Sequence, residues 1–179
     1  MFFITTLLLS LSGLWFWRLF RLQSIRKADA SWLPSELKRA SLQYTECQFF
    51  TKAPFPLVAR IDRGYLVAST EIVLVDFKRR KTKRAFLSDV VEISAQRLAM
   101  QGAGIRNVAM HAYVVVIDPE TSRKTPVLVD LEDEFSIMRR RDRLNILREG
   151  NVEPTRTSHK RLCATCGHHD YCPGTVAGI

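Results

Sequence analysis

The sequence is poor in acidic residues and in cysteine, and it contains no internal repeat and no low-complexity segment. Its 179 residues include 18 Asp and Glu against 27 Lys and Arg, and only four cysteines. A chain of this length without repeats is expected to form one domain with a substantial hydrophobic core. The shortage of acid leaves a formal net charge of +9, which favours anionic partners, either nucleic acid or an anionic membrane surface.

Charge is absent from residues 1–17, which separates the N-terminus from the rest of the chain. With the apolar residues up to Leu22 the span reaches about 20 residues, near the length that crosses a bilayer. A cleaved signal peptide carries positive charge before its apolar core, whereas here Arg18 and Arg21 come late and further basic residues follow. We therefore predict that residues 1–22 anchor the chain once in the inner (cytoplasmic) membrane, with the remainder in the cytoplasm. A buried core helix is the alternative.

The pattern after the anchor predicts a small α/β domain. Residues 23–44 are polar and predict a linker with a short helix, and residues 45–179 form the domain with its cysteine-rich tail. Apolar, β-branched runs indicate strands, and an apolar period near 3.6 indicates helices. The predicted elements are strands at 55–62, 64–70 and 71–78, a helix between Arg84 and Gln101, strands at 111–118 and 124–131, and a helix at about 132–148.

Asp76 and Lys78 stand at the end of an apolar run. Side chains alternate along a strand, so both project from the same face, where ionisable groups are costly to bury without a partner. Asp62 ends an earlier predicted strand, and antiparallel pairing would bring its carboxylate beside Asp76. Two carboxylates form an oxygen-rich site suited to Mg2+ or Mn2+, and Lys78 would stabilise charge on a phosphate. The alternative is two surface carboxylates at strand ends.

A basic segment follows this strand directly. Clustered Lys and Arg side chains bind phosphates without regard to sequence, so the segment predicts contacts with the DNA backbone. A solvated charged face is the alternative. The residues concerned are Arg79, Arg80, Lys81, Lys83 and Arg84.

The arrangement of Asp62, then Asp76-x-Lys78 on the next apolar strand, then a helix and a strand, resembles the PD-(D/E)xK nuclease superfamily. The resemblance implies a restriction-endonuclease-like core, with a mixed central sheet flanked by helices, that hydrolyses phosphodiesters in DNA. It implies that Asp62 and Asp76 hold Mg2+ or Mn2+ and that Lys78 is catalytic.

The helix after Lys78 supplies a further, partial match. RecB-like members of the superfamily carry Q-x-x-x-Y there, and Gln96 matches the glutamine, which implies a catalytic role in positioning substrate, while Met100 replaces the tyrosine. The family also has an acidic residue on an earlier helix. Glu36 and Glu46 are the candidates for it in this chain.

Three cysteines lie together in the tail as C-x2-C-x5-C. Disulfides are rare in the cytoplasm, and a metal or cluster takes four soft ligands, so Cys47 is the candidate fourth ligand. The pattern is similar to that of iron–sulfur nucleases of the same superfamily, the CRISPR-associated RecB-like exonucleases and the AddB-type nucleases. The resemblance implies a structural [4Fe–4S] cluster, with Zn2+ as the alternative. The ligands would be Cys47, Cys163, Cys166 and Cys172.

These features together predict a membrane-anchored, metal-dependent DNA nuclease that acts on single strands or DNA ends. The alternative is a non-catalytic, membrane-tethered module that binds DNA or protein and is stapled by iron–sulfur or zinc. A third hypothesis is a basic protein whose clusters bind anionic lipid. Cleavage polarity, endonuclease or exonuclease mode, protein partners and oligomeric state are not fixed by the sequence.

Overall fold

The computed structural model of the chain describes residues 31–68, 70–153, 162–163 and 166–167. By its internal contacts the chain divides into two units, Met1–Ile137 and Met138–Ile179. The predicted anchor, residues 1–22, lies outside the described residues. Within the described ranges, no helix is both long enough and apolar enough to span a bilayer.

The first unit is built on one mixed sheet of five strands, in the order β1-β2-β3-β4-β5. β3 and β4 pair in parallel, and the other neighbours pair antiparallel. A parallel pair needs a crossover connection, and helix α1, Leu87–Gly102, supplies it. The α/β class is therefore confirmed. The strands are β1 Ser41–Thr51, β2 Leu57–Val67, β3 Glu71–Arg79, β4 Val108–Ile117 and β5 Lys124–Asp130.

The second helix, α2, runs over Glu134–Arg148, so most of it belongs to the second unit. Its start follows from a side-chain cap, because the Asp133 carboxylate accepts a hydrogen bond from the backbone N–H of Ser136 at 2.8 Å. A carboxylate in this position satisfies one of the N–H groups that a helix start leaves without a partner. The helix predicted over residues 132–148 is confirmed.

Two predictions about the early strands were wrong. Residues 55–62 and 64–70 were expected as separate strands, but β2 passes straight through Gly64. A Cβ at Gly64 would lie 3.1 Å from the Tyr44 ring and 3.2 Å from Ile72, so this glycine permits close packing within a strand and makes no turn. β1 was not predicted, and the expected boundary between linker and domain at residue 45 falls inside it. Its residues are mostly exposed, so they lack the apolar run that marks a buried strand.

The hydrophobic core forms two layers, one on each face of the sheet. Most of β3 and β4 is buried on both faces, as predicted for the apolar run at 111–118. Burying a Val, Leu or Ile side chain contributes about 1.5–3 kcal/mol, so these two strands anchor the fold. The layer toward α1 contains Ile61, Ile72, Leu74, Ile93, Met100, Val108, Ala112, Val114, Val116 and Leu131. The reverse layer contains Trp32, Leu37, Tyr65, Val73, Val75, Ala109, Tyr113 and Val115.

Residues 31–40 pack on the sheet, although this stretch was expected to belong to a linker. Trp32 and Leu37 are buried in the reverse layer, and a single 3-10 turn covers Leu37–Arg39. The Glu36 carboxylate accepts a hydrogen bond from the Tyr113 hydroxyl at 2.8 Å and lies 2.9 Å from Nε2 of His111. The segment before β1 is therefore fixed to the sheet by apolar burial and by a polar contact.

Candidate active site

Asp76 and Lys78 are neighbours on the face of β3 that looks toward α1. Ile72 and Leu74 belong to the α1-side layer, and strand alternation continues that face through positions 76 and 78. Asp76 is buried, with 2% of its surface exposed. The Lys78 ammonium lies 3.1 Å from Oδ2 of Asp76. The buried carboxylate of Asp76 and the partly exposed ammonium of Lys78 therefore lie side by side at the end of β3.

Asp62 reaches the same place from β2. Arg63 pairs with Val75 at the end of the antiparallel ladder, Asp62 is the next residue of β2, and its charge acts on Asp76. Oδ2 of Asp62 accepts a hydrogen bond from the backbone N–H of Phe77 at 2.8 Å. The carboxylate therefore lies against the main chain between Asp76 and Lys78, and the structure brings together the three residues predicted to form the centre of the site.

Glu92 joins this group without having been predicted. It lies on α1, and its Oε2 is 2.7 Å from the Lys78 ammonium. The earlier candidates for an additional acid lie elsewhere: Glu36 contacts the reverse side of the sheet, and Glu46 pairs with exposed Arg60 at 2.8 Å. Glu92 precedes Gln96 by four residues, the spacing that shares a helix face, and that spacing is the signal in the sequence that points to it.

Burial makes the ionised form of Asp76 less favourable in the folded protein than it is in water. Burial is the largest cause and raises the pKa of Asp76 to about 6, Lys78 partly offsets it, and the negative charges of Asp62 and Glu92 add to the rise. Oδ2 of Asp76 is buried, and its one close polar neighbour is the Lys78 ammonium at 3.1 Å. The site therefore has an acceptor whose pairing is incomplete.

This donor set fits a small divalent cation. Mg2+ and Mn2+ prefer carboxylate oxygens, and a buried, incompletely paired oxygen beside a second carboxylate meets that preference. Among the residues that the structure describes, no three His, Cys, Asp or Glu side chains are already arranged as a ligand set. Asp62 and Asp76 would therefore hold the ion through two carboxylates, and the remaining positions would fall to water and substrate oxygens, as is usual for Mg2+.

Gln96 lies on the inner side of α1, one turn after Glu92. It is buried, with 4% of its surface exposed. Met100, which stands where the motif has its tyrosine, is fully buried in the α1-side layer. The helix therefore places Gln96 on the face that carries Glu92, and it uses position 100 for packing.

Arg80 differs from the other residues of the basic segment because its side chain is mostly buried and pairs with a buried carboxylate. Its guanidinium donates two hydrogen bonds to the Asp89 carboxylate, at 3.1 and 2.5 Å, and one to the carbonyl oxygen of Arg84 at 2.6 Å. It also stacks over the Phe86 ring, 4.3 Å from the centroid. Asp89 in turn accepts the Phe86 N–H at 2.8 Å, which caps the start of α1. Arg80 thus holds the basic segment to the helix.

The remaining basic side chains of this segment are exposed. Arg79 donates a hydrogen bond to the carbonyl oxygen of Pro119 at 3.1 Å, and Lys81 forms an ion pair with Glu120 at 2.5 Å. Lys83 is exposed, and Arg84 lies 4.8 Å from the Phe86 centroid. These four residues present positive charge to solvent at and just after the end of the strand that carries Asp76 and Lys78.

The predicted cluster ligands are described in part. Cys47 lies on β1, partly buried against the α1-side layer. Cys163 and Cys166 belong to the second unit, and the Cys166 N–H donates a hydrogen bond to the Cys163 carbonyl oxygen at 3.1 Å. Cys172 lies outside the described residues. The four-cysteine set therefore stays a prediction.

Comparisons with known proteins do not assign the chain to a family. No family model matches it, and no curated protein matches it. Among solved structures, the crystal structure of the protein SSO0001 is similar, with 13% sequence identity and a TM-score of 0.49, over 88% of this chain and 67% of that one. A likeness of this size carries no argument about fold or activity.

Proposed function

We propose that this chain is a metal-dependent DNA nuclease of the PD-(D/E)xK type, anchored in the membrane by residues 1–22, that hydrolyses phosphodiesters in single strands or at DNA ends. The observation that carries the proposal is the meeting of three side chains at the end of β3. Asp62 binds the Phe77 N–H at 2.8 Å, and Asp76 lies 3.1 Å from the Lys78 ammonium. Two carboxylates that can bind a metal ion, with a lysine ammonium beside them, are the smallest set of groups that this type of phosphodiester hydrolysis needs.

The topology supports the same proposal. Three antiparallel strands, a crossover helix and a fourth strand parallel to the third follow one another along the chain. This order is compatible with a restriction-endonuclease-like core. Asp62 and Asp76 lie on β2 and β3.

Each residue has a distinct task in the proposed reaction. Asp62 and Asp76 would hold Mg2+ or Mn2+, which would lower the pKa of a bound water and polarise the phosphodiester. Burial lowers the pKa of Lys78, but the hydrogen bond to Glu92 and the charge of Asp76 outweigh that effect and raise it above its ordinary value. Lys78 therefore stays a cation at neutral pH and stabilises negative charge developing on phosphate oxygens, whereas a general base would have to be neutral.

The basic segment extends the site along the DNA backbone. Arg79, Lys81, Lys83 and Arg84 are exposed and follow Lys78 directly in the chain. Side chains of this kind neutralise phosphates and release counterions. Arg80 contributes by fixing the segment to α1 through Asp89.

A [4Fe–4S] cluster on Cys47, Cys163, Cys166 and Cys172 completes the proposal. Its role is structural, because it would join β1 to the C-terminal tail. Zinc is the competing occupant, since four thiolates suit Zn2+ equally well.

Cleavage of end-labelled single-stranded DNA by the full-length protein, with and without Mn2+, tests the proposed function. We expect Mn2+-dependent cleavage in the wild type, a loss of about 100-fold or more in K78M, and background rates in D76N. D76N should still fold, because burial already disfavours the Asp76 charge by raising its pKa to about 6. Asp130→Asn, an exposed change of the same kind on β5, is the matched control. Cleavage that survives in D76N would refute the proposed site.

One observation favours a non-catalytic binding module instead. The Lys78 ammonium lies within ion-pair distance of both Asp76 and Glu92, at 3.1 and 2.7 Å, and this pairing of the lysine needs no metal. That function predicts DNA binding with strong salt dependence and no cleavage under any divalent cation.

A further inference from the structure

Two carboxylates of different character share the Lys78 ammonium. Asp76 lies on the same strand and its side chain is almost completely buried, whereas Glu92 comes from α1 and half of its side chain is exposed. The shorter contact is with Glu92, 2.7 Å against 3.1 Å. The helix therefore holds the lysine at least as closely as the strand does.

We propose that Glu92 is a positioning residue for Lys78, an inference that rests on the proposed nuclease function. The lysine side chain is flexible, and many of its rotamers would bring the ammonium to different positions at similar energy. A contact from a second element restricts that freedom and fixes the ammonium over the end of β3. Fixed placement of this kind matters because a displacement of about 1 Å can slow catalysis about 100-fold.

The need for a second partner follows from the chemistry of Asp76. A divalent cation on Asp76 would take up the negative charge that now attracts Lys78, and the two positive charges would repel each other. Glu92 would then be the carboxylate that keeps the ammonium near the reacting phosphate. The same contact explains how a chain whose earlier acidic candidates, Glu36 and Glu46, lie elsewhere still brings a third carboxylate to the site.

Two other polar clusters in the first unit have structural roles. The Glu36, His111 and Tyr113 contact pins residues 31–40 to the reverse side of the sheet and therefore has a sufficient structural role. The stacking of Arg80 and Arg84 with Phe86 leaves that ring covered by guanidinium groups, so it offers no stacking platform for a base.

Kinetics of E92Q and E92D, with Glu153→Gln as an exposed control of the same chemistry, tests the inference. We expect kcat to fall about 10- to 100-fold in E92Q, with KM for DNA and the melting temperature unchanged, and E92D to recover part of the loss. An exposed ion pair contributes little to stability. If the contact between Glu92 and Lys78 were only structural, E92Q would therefore not lower kcat while leaving KM and the melting temperature unchanged. Equal kcat in E92Q and wild type, when wild type cleaves, would overturn the role of Glu92 and leave the nuclease intact.

A second measurement does not depend on activity. In metal-free protein labelled with 15N-lysine, the side-chain ammonium signal of Lys78, identified by its absence in K78R, should exchange slowly with water in wild type and broaden in E92Q. An unchanged signal in E92Q would contradict the inference. If wild type never cleaves DNA, the nuclease proposal fails, and so does the catalytic role of Glu92; an altered signal would then support only the contact with Lys78.

Discussion

The Asp62 carboxylate accepts its hydrogen bond from the backbone N–H of Phe77, at 2.8 Å, and Phe77 is the residue between Asp76 and Lys78. On the other face of the sheet the Phe77 ring meets Trp32, with centroids 5.3 Å apart, and the guanidinium of Arg63, 5.0 Å from the centroid. One residue is therefore held from both sides, which fixes the backbone that carries the site. Asp62 consequently has two tasks, to supply charge and to anchor β3.

Substitutions at Asp62 should separate these tasks. D62N keeps an oxygen that can accept the Phe77 N–H, so we expect it to lose cleavage with little loss of stability. D62A also removes the acceptor, and we expect its free energy of unfolding to fall by about 1–2 kcal/mol more. Urea denaturation of both variants measures the difference. Identical unfolding of D62N and D62A would show that the hydrogen bond contributes nothing.

The contact between Arg80 and Asp89 should stabilise the protein in a pH-dependent way. Burial alone would raise the pKa of Asp89, but hydrogen bonds from Arg80 and the Phe86 N–H, together with the Arg80 charge, hold that pKa below its ordinary value of 3.8. A lowered folded pKa means that this stabilisation is complete above the unfolded pKa and is lost as the pH falls through the folded pKa.

D89N is therefore expected to lower the free energy of unfolding by about 3 kcal/mol at pH 7, because it leaves a partly buried guanidinium without its counterion. The difference between wild type and D89N should shrink below about pH 4, as measured by denaturant unfolding across the acid range. Asp142→Asn, on exposed Asp142, controls for net charge. A difference that stays constant down to pH 2 would contradict this account of the contact.

The basic segment should bind DNA through phosphates, and Glu120 should limit that binding. Glu120 pairs with Lys81 at 2.5 Å, and both side chains are exposed. We expect K81A to reduce the slope of log K against log salt by about 0.7–0.9, the value for one phosphate contact, and E120Q to increase affinity because it releases Lys81. Fluorescence anisotropy at several salt concentrations measures both. Equal slopes for wild type and K81A would exclude Lys81 from the DNA contact.

If the four cysteines hold an iron–sulfur cluster, the purified protein should be coloured. Anaerobically purified wild type should show the broad visible absorption of an iron–sulfur cluster, and C163S should lose both the colour and thermal stability, since the cluster would join the tail to β1. Iron and zinc content, measured by elemental analysis, distinguishes the two occupants. A colourless preparation that contains zinc would overturn the iron–sulfur assignment.

The sequence predicted the parts of the fold that depend on local pattern. The run at 111–118 is apolar at almost every position, so it indicated a strand buried on both faces, and β4 is such a strand. Asp76 and Lys78 were placed on one face by alternation alone, and the structure confirms their contact. These features need no knowledge of distant residues.

The contacts that the sequence did not predict join residues that are separated in the chain. The spacing of Glu92 from Gln96 indicates a shared helix face, but its contact with Lys78, 14 residues earlier, is seen only in the structure. Gly64 resembled a turn signal because nothing in the sequence shows that Tyr44 and Ile72 crowd its Cα. Arg80 belonged to an apparent DNA-binding cluster, but its pairing with Asp89 depends on how the segment folds back onto α1.

The central claim is that Asp62 and Asp76 share one divalent cation beside Lys78, and direct titration with Mn2+ tests it best. Electron paramagnetic resonance of free Mn2+ counts the ions bound by each protein. We predict one site in wild type that is lost in both D62N and D76N and is retained in K78M, which removes a competing positive charge. Mn2+ binding that is unchanged in D62N and D76N would contradict the account.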